Sequence, residues 1–238
     1  MDLDEIVDTE LEALDPYDLM DIEAGRIDAY LSGLATTGWS EPTPCAAWDR
    51  HDVAAHLAAS EEYNHATLDD TLEALFARFA AAGVTDLHSA NQLGVDERRD
   101  RSHTEVLDEW RTTNSTTRAL MRSRDGDEIA TTVGQYPARW QAFHLAAELA
   151  VHADDLGVPE TPEEAVERLA WRTRVARFIV AESHPEVTVK AMADRTAVGV
   201  DATLVELDGT TFVAAATGRL APDSPVPVEV RLGLASVG

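Results

Sequence analysis

The sequence is poor in cysteine and in long apolar runs, and each shortage excludes a class of protein. Cys45 is the only cysteine among 238 residues, so no disulfide can form within the chain, and a reducing cytoplasm is expected. No run approaches the roughly eighteen apolar residues of a membrane-spanning helix, and no basic segment followed by an apolar one marks a secretory signal. We therefore expect a cytoplasmic protein with no membrane partner.

Basic residues are also scarce. Lys190 is the only lysine, and 19 basic residues against 44 acidic ones give a formal net charge of −25. Such a chain repels the phosphates of nucleic acids, which excludes them as partners. Ten acidic residues precede Arg26, the first basic one. We interpret residues 1–16 as an acidic, solvated leader that is open to disorder, with a docking tail as the alternative.

Helical periodicity covers most of the chain up to about residue 184. Residues 83–101 are a polar connector that separates the earlier helices from a capping box at Ser102-x-x-Glu105. Thr161, Pro162 and Glu164 give an unusually clear helix start. The predicted helices cover residues 17–35, 49–82, 102–124, 138–157 and 161–182.

The residues after Pro185 are rich in β-branched side chains and alternate in places. The pattern predicts strands near residues 187–189, 198–200, 203–205 and 226–232. Asp208-Gly209 is a hairpin signal, and 212–217 fits either a strand or a short helix. We therefore predict a helical bundle at 17–184 and a small α+β domain at 185–238, too small for an independent core.

Three side chains predict a metal site. Glu148 and His152 lie four residues apart, so in a helix both can bind one ion from one face. His56, on another helix, would supply a third ligand. Three protein ligands and one open position are typical of a catalytic zinc rather than a structural one. The same donors also suit iron(II) or nickel, so the prediction is a divalent metal, zinc by preference.

Neighbouring residues suggest supporting roles. His144 precedes Glu148 by one turn, and the angular drift of a helix places it off the metal. We therefore expect His144 to line the pocket and to contact a bound cofactor. Asp155 can accept the other ring N–H of His152, or it is a surface acid near a helix end. Cys45 has no catalytic partner in sequence and is interpreted as a packed, structural cysteine.

Two segments resemble the signatures of the mycothiol-dependent maleylpyruvate isomerase family, which belongs to the DinB-like superfamily of metal-binding four-helix bundles. The first is Pro42 to Ala58, with its Pro-Cys, Trp and Asp-x-x-x-His-Leu-Ala elements, and the second is Glu148 to Gly157, with Glu-x-x-x-His-x-x-Asp-Leu. The resemblance implies a DinB-like four-helix bundle with a small C-terminal α+β domain. It also implies that His56, Glu148 and His152 bind zinc.

The resemblance further implies an enzyme with mycothiol, the low-molecular-weight thiol of actinobacteria, as its second cofactor. A zinc-activated thiolate would attack an electrophilic small molecule, giving either cis–trans isomerisation or S-transfer. The isomerases use arginines to hold a dicarboxylate substrate, one of them directly before an asparagine. Here Ala90 precedes Asn91, whereas Arg219 of a Gly-Arg pair matches a second such arginine and is the catalytic candidate.

Two other functions stay open at this stage. One is a zinc hydrolase in which metal-bound water is the nucleophile and His144 is the general base. The other is a non-catalytic bundle that uses the metal for stability and binds a protein partner. The sequence also leaves open the electrophile and the choice between monomer and dimer.

Overall fold

The computed structural model describes residues 6–236, of Asp8 only the backbone, and within them the fold is mainly helical, as predicted. A π-helix (Val7–Leu11) and a 3-10 helix (Thr36–Ser40) accompany the α-helices. None of the described helices has the length and apolarity to cross a membrane. The α-helices are α1 (Pro16–Gly33), α2 (Arg50–Leu68), α3 (Leu72–Ala81), α4 (Leu87–Asp96), α5 (His103–Ser123), α6 (Ala138–Leu156), α7 (Pro162–Ser183), α8 (Gly209–Ala216) and α9 (Val228–Leu234).

The chain forms two compact units. One is Pro16–Val158, and the other combines the residues before Pro16 with those from Pro159 onward. Helix α7, which the sequence pattern assigns to the bundle, instead packs against α8, the π-helix and the strand Thr188–Ala191. The second unit thereby gains the apolar helix face that its small sheet needs for a core.

The unit Pro16–Val158 is a four-helix bundle of α1, α2, α5 and α6, as predicted. Helix α1 packs on α5 and α6, and α2 packs on the same two helices. Apolar side chains such as Ile27, Trp110 and Phe143 are almost fully buried between them. A hairpin of β1 (Glu128–Thr131) and β2 (Gly134–Pro137) joins α5 to α6.

The predicted helix 49–82 is interrupted, and the predicted connector contains a helix. Asp69 caps the end of α2, where its backbone N–H donates to the carbonyl oxygen of His65. Asp70 has a left-handed φ of 55°, which a right-handed helix cannot contain, so α2 ends before it. Helix α4 begins at a capping box between Asp86 and Ser89. The apolar content of 49–82 masked the break, and the polar composition of 83–101 masked the helix.

Helix α4 packs closely on α2 at Gly94. A Cβ added to Gly94 would lie 2.4 Å from the Cβ of Ala59. We expect Gly94→Ala to lower the free energy of unfolding by about 1–3 kcal/mol, because the two helices must separate. Gly25→Ala is the matched control, since that exposed helical position has nothing within 4 Å and should gain about 0.5–1 kcal/mol. Urea denaturation of both variants checks this, and equal effects would contradict the close approach.

The second unit contains an antiparallel sheet in the order β3 (Thr188–Ala191), β4 (Arg195–Val200) and β5 (Thr203–Asp208). Asp208 accepts from the backbone N–H of Thr211 at 2.8 Å and caps α8, so the predicted hairpin at Asp208-Gly209 is a helix start. Residues 212–217 are mostly helical. The predicted strand 226–232 is largely helix α9, because Val226, Val230 and Leu234 are buried at a spacing of four.

The described part of the expected leader is structured. Ile6 and Leu11 are buried, and Glu10 forms a two-pronged ion pair with Arg177 of α7, with Nε to Oε1 at 2.8 Å and Nη2 to Oε2. Arg177 also donates to Thr196 Oγ1 at 2.9 Å. Residues 6–11 thus differ from the expected solvated segment, whereas residues 1–5 lie outside the described part of the chain.

Candidate metal centre

Three side chains from two helices direct their donor atoms at one point. His56 lies on α2, and Glu148 and His152 lie one turn apart on α6. The two Nε2 atoms are 3.1 Å apart, and Glu148 Oε1 is 3.1 Å from His152 Nε2 and 3.5 Å from His56 Nε2. Both histidines are at least 96% buried, whereas Glu148 is half-buried. The structure therefore brings together the three residues that the sequence proposes as ligands.

Arg50 holds these two helices in register. A capping box between Asp49 and Asp52 begins α2 just before Arg50. The Arg50 guanidinium donates from Nε to the carbonyl oxygen of Leu156, at the end of α6, at 3.0 Å, and from Nη1 to that of Gly38 at 3.2 Å. It thereby satisfies a carbonyl that the end of α6 leaves without a helical partner. Sequence reasoning missed Arg50, since nothing in the sequence indicates a bond to a backbone carbonyl 106 residues away.

Asp155 determines which nitrogen of His152 faces the cluster. Its Oδ2 lies 3.0 Å from His152 Nδ1, so Nδ1 carries a proton and donates it. In the neutral ring, the lone pair of Nε2 then points at Glu148 Oε1, itself an acceptor. Two acceptors at this distance repel each other unless a proton or a metal ion lies between them. The interpretation of Asp155 as the partner of His152, rather than a surface acid, agrees with its burial.

The electrostatics describe the same demand for positive charge. Burial lowers the pKa of His152, but the Glu148 carboxylate and the hydrogen bond to Asp155 outweigh it and hold that pKa well above its usual range. Burial raises the pKa of Glu148, yet the two histidines hold it well below its usual range. Burial, with the charge of His152, lowers the pKa of His56. The cluster is therefore balanced by a cation on His152, the charge that a bound metal would replace.

The donor set fits a tetrahedral divalent ion. Ligands about 2.0–2.1 Å from a tetrahedral zinc are roughly 3.3 Å from one another. The observed separations of 3.1–3.5 Å lie around that value. The same atoms form one of the two groups of potential metal ligands that occur among the described residues. A small ion can thus be accommodated with little side-chain movement.

The Nδ1 side of the His56 ring is positioned by packing instead of hydrogen bonding. Its Nδ1 is buried and has no hydrogen-bond partner among the described residues. The ring of Trp48 lies against it with centroids 5.1 Å apart, and Trp48 Nε1 donates to Gln92 Oε1 at 3.2 Å. Gln92 directly follows Asn91 and lies in the predicted connector 83–101. This segment therefore contacts Trp48, which in turn packs against His56.

Cys45 is more closely connected to the centre than the sequence suggests. Its Sγ lies 3.2 Å from the same Asp155 Oδ2 that contacts His152. Cys45 is half-exposed, and together with Trp48 it lines a cavity of about 250 Å³ beside the loop 40–49. The sequence around Cys45 does not predict this contact, because its partner Asp155 lies on α6, 110 positions away.

Two other predicted residues lie outside the cluster. His144 is on α6, and its Nε2 contacts Tyr136 Oη at 3.2 Å; it belongs to neither group of potential metal ligands among the described residues. Arg219 lies in the second unit, after α8, where it donates from Nη1 to the carbonyl oxygen of Thr217 at 2.6 Å. The cofactor role of His144 and the catalytic role of Arg219 stay predictions.

The arginines nearest to Asn91 in sequence are engaged elsewhere. Arg98 is buried and binds Glu109 at 2.7 Å and Glu62 at 2.9 Å. Arg101 pairs with Glu109, and Arg99 pairs with Asp96 at 2.9 Å. These ion pairs leave no uncompensated guanidinium among them to replace the arginine that is missing at position 90.

The comparisons with known proteins that found a match all name the same isomerase. A family model described as the mycothiol maleylpyruvate isomerase N-terminal domain matches residues 20–157, nearly the whole unit Pro16–Val158. No curated protein matches. A crystal structure of the mycothiol-dependent maleylpyruvate isomerase is similar with a TM-score of 0.58 and 16% identity, covering 91% of this chain and 92% of that one. The crystal structure of a histidine-to-alanine mutant of the mycothiol-dependent maleylpyruvate isomerase is similar with a TM-score of 0.52 and 17% identity. That match covers 75% of this chain and 71% of the other.

Proposed function

Because this chain belongs to the mycothiol maleylpyruvate isomerase family, we propose that it uses a divalent metal to activate a thiol against an electrophilic small molecule. Family membership makes it an enzyme and supports mycothiol as the thiol. The observation that carries the metal is the convergence of His56, Glu148 and His152 within 3.5 Å of one another. Isomerisation and S-transfer share this centre and differ in how the substrate is held.

Each side chain has a distinct role in this proposal. His56, Glu148 and His152 would hold the zinc ion, whose positive charge would lower the pKa of a bound thiol. Glu148 would offset part of that charge, and His56 and His152 would provide two neutral nitrogens. Asp155 holds the ring of His152 in the tautomer that presents Nε2 to the metal.

The substrate proposed here carries fewer carboxylates than maleylpyruvate. Alanine at position 90 cannot make the two-pronged contact with a carboxylate that an arginine makes. Arg98, Arg99 and Arg101 are compensated by acidic partners. The net charge of −25 adds long-range repulsion against a dianion.

A turnover assay with two electrophiles tests the proposal. Zinc-loaded protein and mycothiol are incubated with maleylpyruvate or with an uncharged conjugated alkene, and the products are separated by chromatography. We expect thiol-dependent conversion, faster for the uncharged compound; a geometric isomer would indicate isomerisation and a thioether S-transfer. The absence of thiol-dependent conversion of either compound would contradict the proposal.

Metal removal is the control in the same assay. A chelator should abolish conversion while the far-UV circular dichroism of the bundle is retained, as expected for a catalytic ion. Unfolding on chelation would favour the metal-stabilised, non-catalytic bundle. Conversion of an ester without any thiol would favour the hydrolase.

A further inference from the structure

We infer that Cys45 is a positioning residue for the metal centre, acting on His152 through Asp155. The inference rests on the proposed function, since the centre it serves is the proposed zinc site. Asp155 Oδ2 lies 3.0 Å from His152 Nδ1 and 3.2 Å from Cys45 Sγ. One oxygen atom thus receives two donors, a ring N–H and an S–H, and Sγ itself lies within 4.8 Å of a ring nitrogen of His152.

The direction of the two hydrogen bonds explains the role. Asp155 is 4% exposed, so its carboxylate depends on protein donors and not on bulk water. With the S–H of Cys45 on one side, Oδ2 has a defined position from which to accept the His152 proton. Without it, Oδ2 loses one of its donors, and the position from which it accepts the His152 proton is less narrowly defined, since the terminal torsion of the carboxylate is soft.

The loop that carries Cys45 is itself held in place. Thr43 Oγ1 accepts from the backbone N–H of Cys45 at 3.2 Å, and the Cys45 carbonyl accepts from Trp48 N at 3.1 Å. Thr43 N donates to the Trp48 carbonyl at 3.2 Å, which closes the turn. The backbone of Cys45 is therefore held by hydrogen bonds, and the thiol reaches Asp155 from a fixed base.

Serine and alanine at position 45 separate this role from packing. Serine keeps a hydroxyl donor on the same Cβ, and a small movement of the loop or of Asp155 is needed to reach the preferred O–H···O distance of about 2.7–2.8 Å. Alanine removes the donor. If Cys45 only fills space, both substitutions remove the sulfur and should act alike.

The experiment measures zinc affinity by competition with a chromophoric chelator, with thermal unfolding of each metal-free variant as a check on folding. We expect Cys45→Ala to weaken zinc binding about threefold to tenfold, less than the roughly 10- to 100-fold typical when a direct outer-shell partner is removed. Cys45→Ser should weaken zinc binding less than Cys45→Ala does, because it keeps a donor. Equal affinities for all three proteins, or equal weakening in both variants, would overturn the positioning role.

A second readout keeps the inference testable if the chain binds no zinc. In metal-free protein labelled with ¹⁵N, the His152 Nδ1–H resonance should be protected from exchange in wild type and Cys45→Ser, and lose protection in Cys45→Ala. Unchanged protection in Cys45→Ala would contradict the inference. If wild type binds no zinc but the three proteins show the expected protection of Nδ1–H, only the proposed function is contradicted. Two zinc ions in wild type and one in Cys45→Ala would instead identify the thiol as a ligand and overturn the positioning role.

Discussion

His152→Ala is expected to reduce the metal content from about one ion per chain to almost none. The side chain would supply one of the three proposed ligand atoms, and it also contacts both Asp155 and Glu148. Its loss leaves one nitrogen and one carboxylate, too few to retain an ion through purification. Elemental analysis of tag-free protein, with zinc added during refolding, measures the change, and thiol-dependent turnover should fall with it.

His88→Ala is the matched control. His88 is an exposed histidine on α4, so its replacement changes composition and charge equally but does not touch the centre. Its metal content should equal that of wild type. Equal metal loss in both variants, or full retention of metal in His152→Ala, would contradict the proposed metal site. Absence of metal from wild type even after refolding with zinc would remove the case for a metalloenzyme.

Arg177→Ala is expected to lower the free energy of unfolding by about 3–5 kcal/mol, the largest stability effect that the structure predicts. Arg177 and Glu10 are both more than 90% buried and joined by two hydrogen bonds. Truncating the arginine leaves a buried carboxylate without its cation and a hydroxyl of Thr196 without its donor. Urea denaturation measures the loss in the full-length chain.

The double variant Glu10→Leu with Arg177→Met tests the physical reason. Replacing a buried ion pair by apolar residues of similar volume is often neutral or stabilising, because neither charge then has to be desolvated. Most of the loss in Arg177→Ala should therefore be absent from the double variant. A double variant as unstable as the single one would mean that packing dominates at this position, and not the unpaired charge.

The convergence of His56, Glu148 and His152 was predictable because its signals are local. The four-residue spacing of Glu148 and His152 depends only on helix geometry, and a recognisable motif surrounds His56. Arg50 and Cys45 were not predictable as supporting residues, since their partners Leu156 and Asp155 lie more than a hundred positions away. Such contacts depend on how two helices are docked, which no sequence window contains.

The bundle was predicted well and the C-terminal region less so. Long amphipathic helices are determined by periodicity, so α1, α5 and α6 are close to their predicted positions, whereas α2 begins as predicted but ends at Leu68. The segment 226–232 alternates like a strand, yet its burial follows a four-residue spacing set by the sheet and α8 beneath it. The break at Asp70 and the start at Asp86 depend on single polar residues within apolar or polar surroundings, which averaged patterns hide.

The interrupted second unit has a consequence for the order in which the protein is made. The contiguous stretch Pro16–Val158 can fold on the ribosome as soon as it leaves the exit tunnel. The π-helix precedes this stretch in the chain but can reach its final contacts only after α7 has been made, because the bond between Glu10 and Arg177 spans 167 positions. The entropic cost of closing such a separation grows only slowly with its length, so the long spacing is tolerated. The segment Val7–Leu11 is thus translated before the bundle and completes its contacts after it.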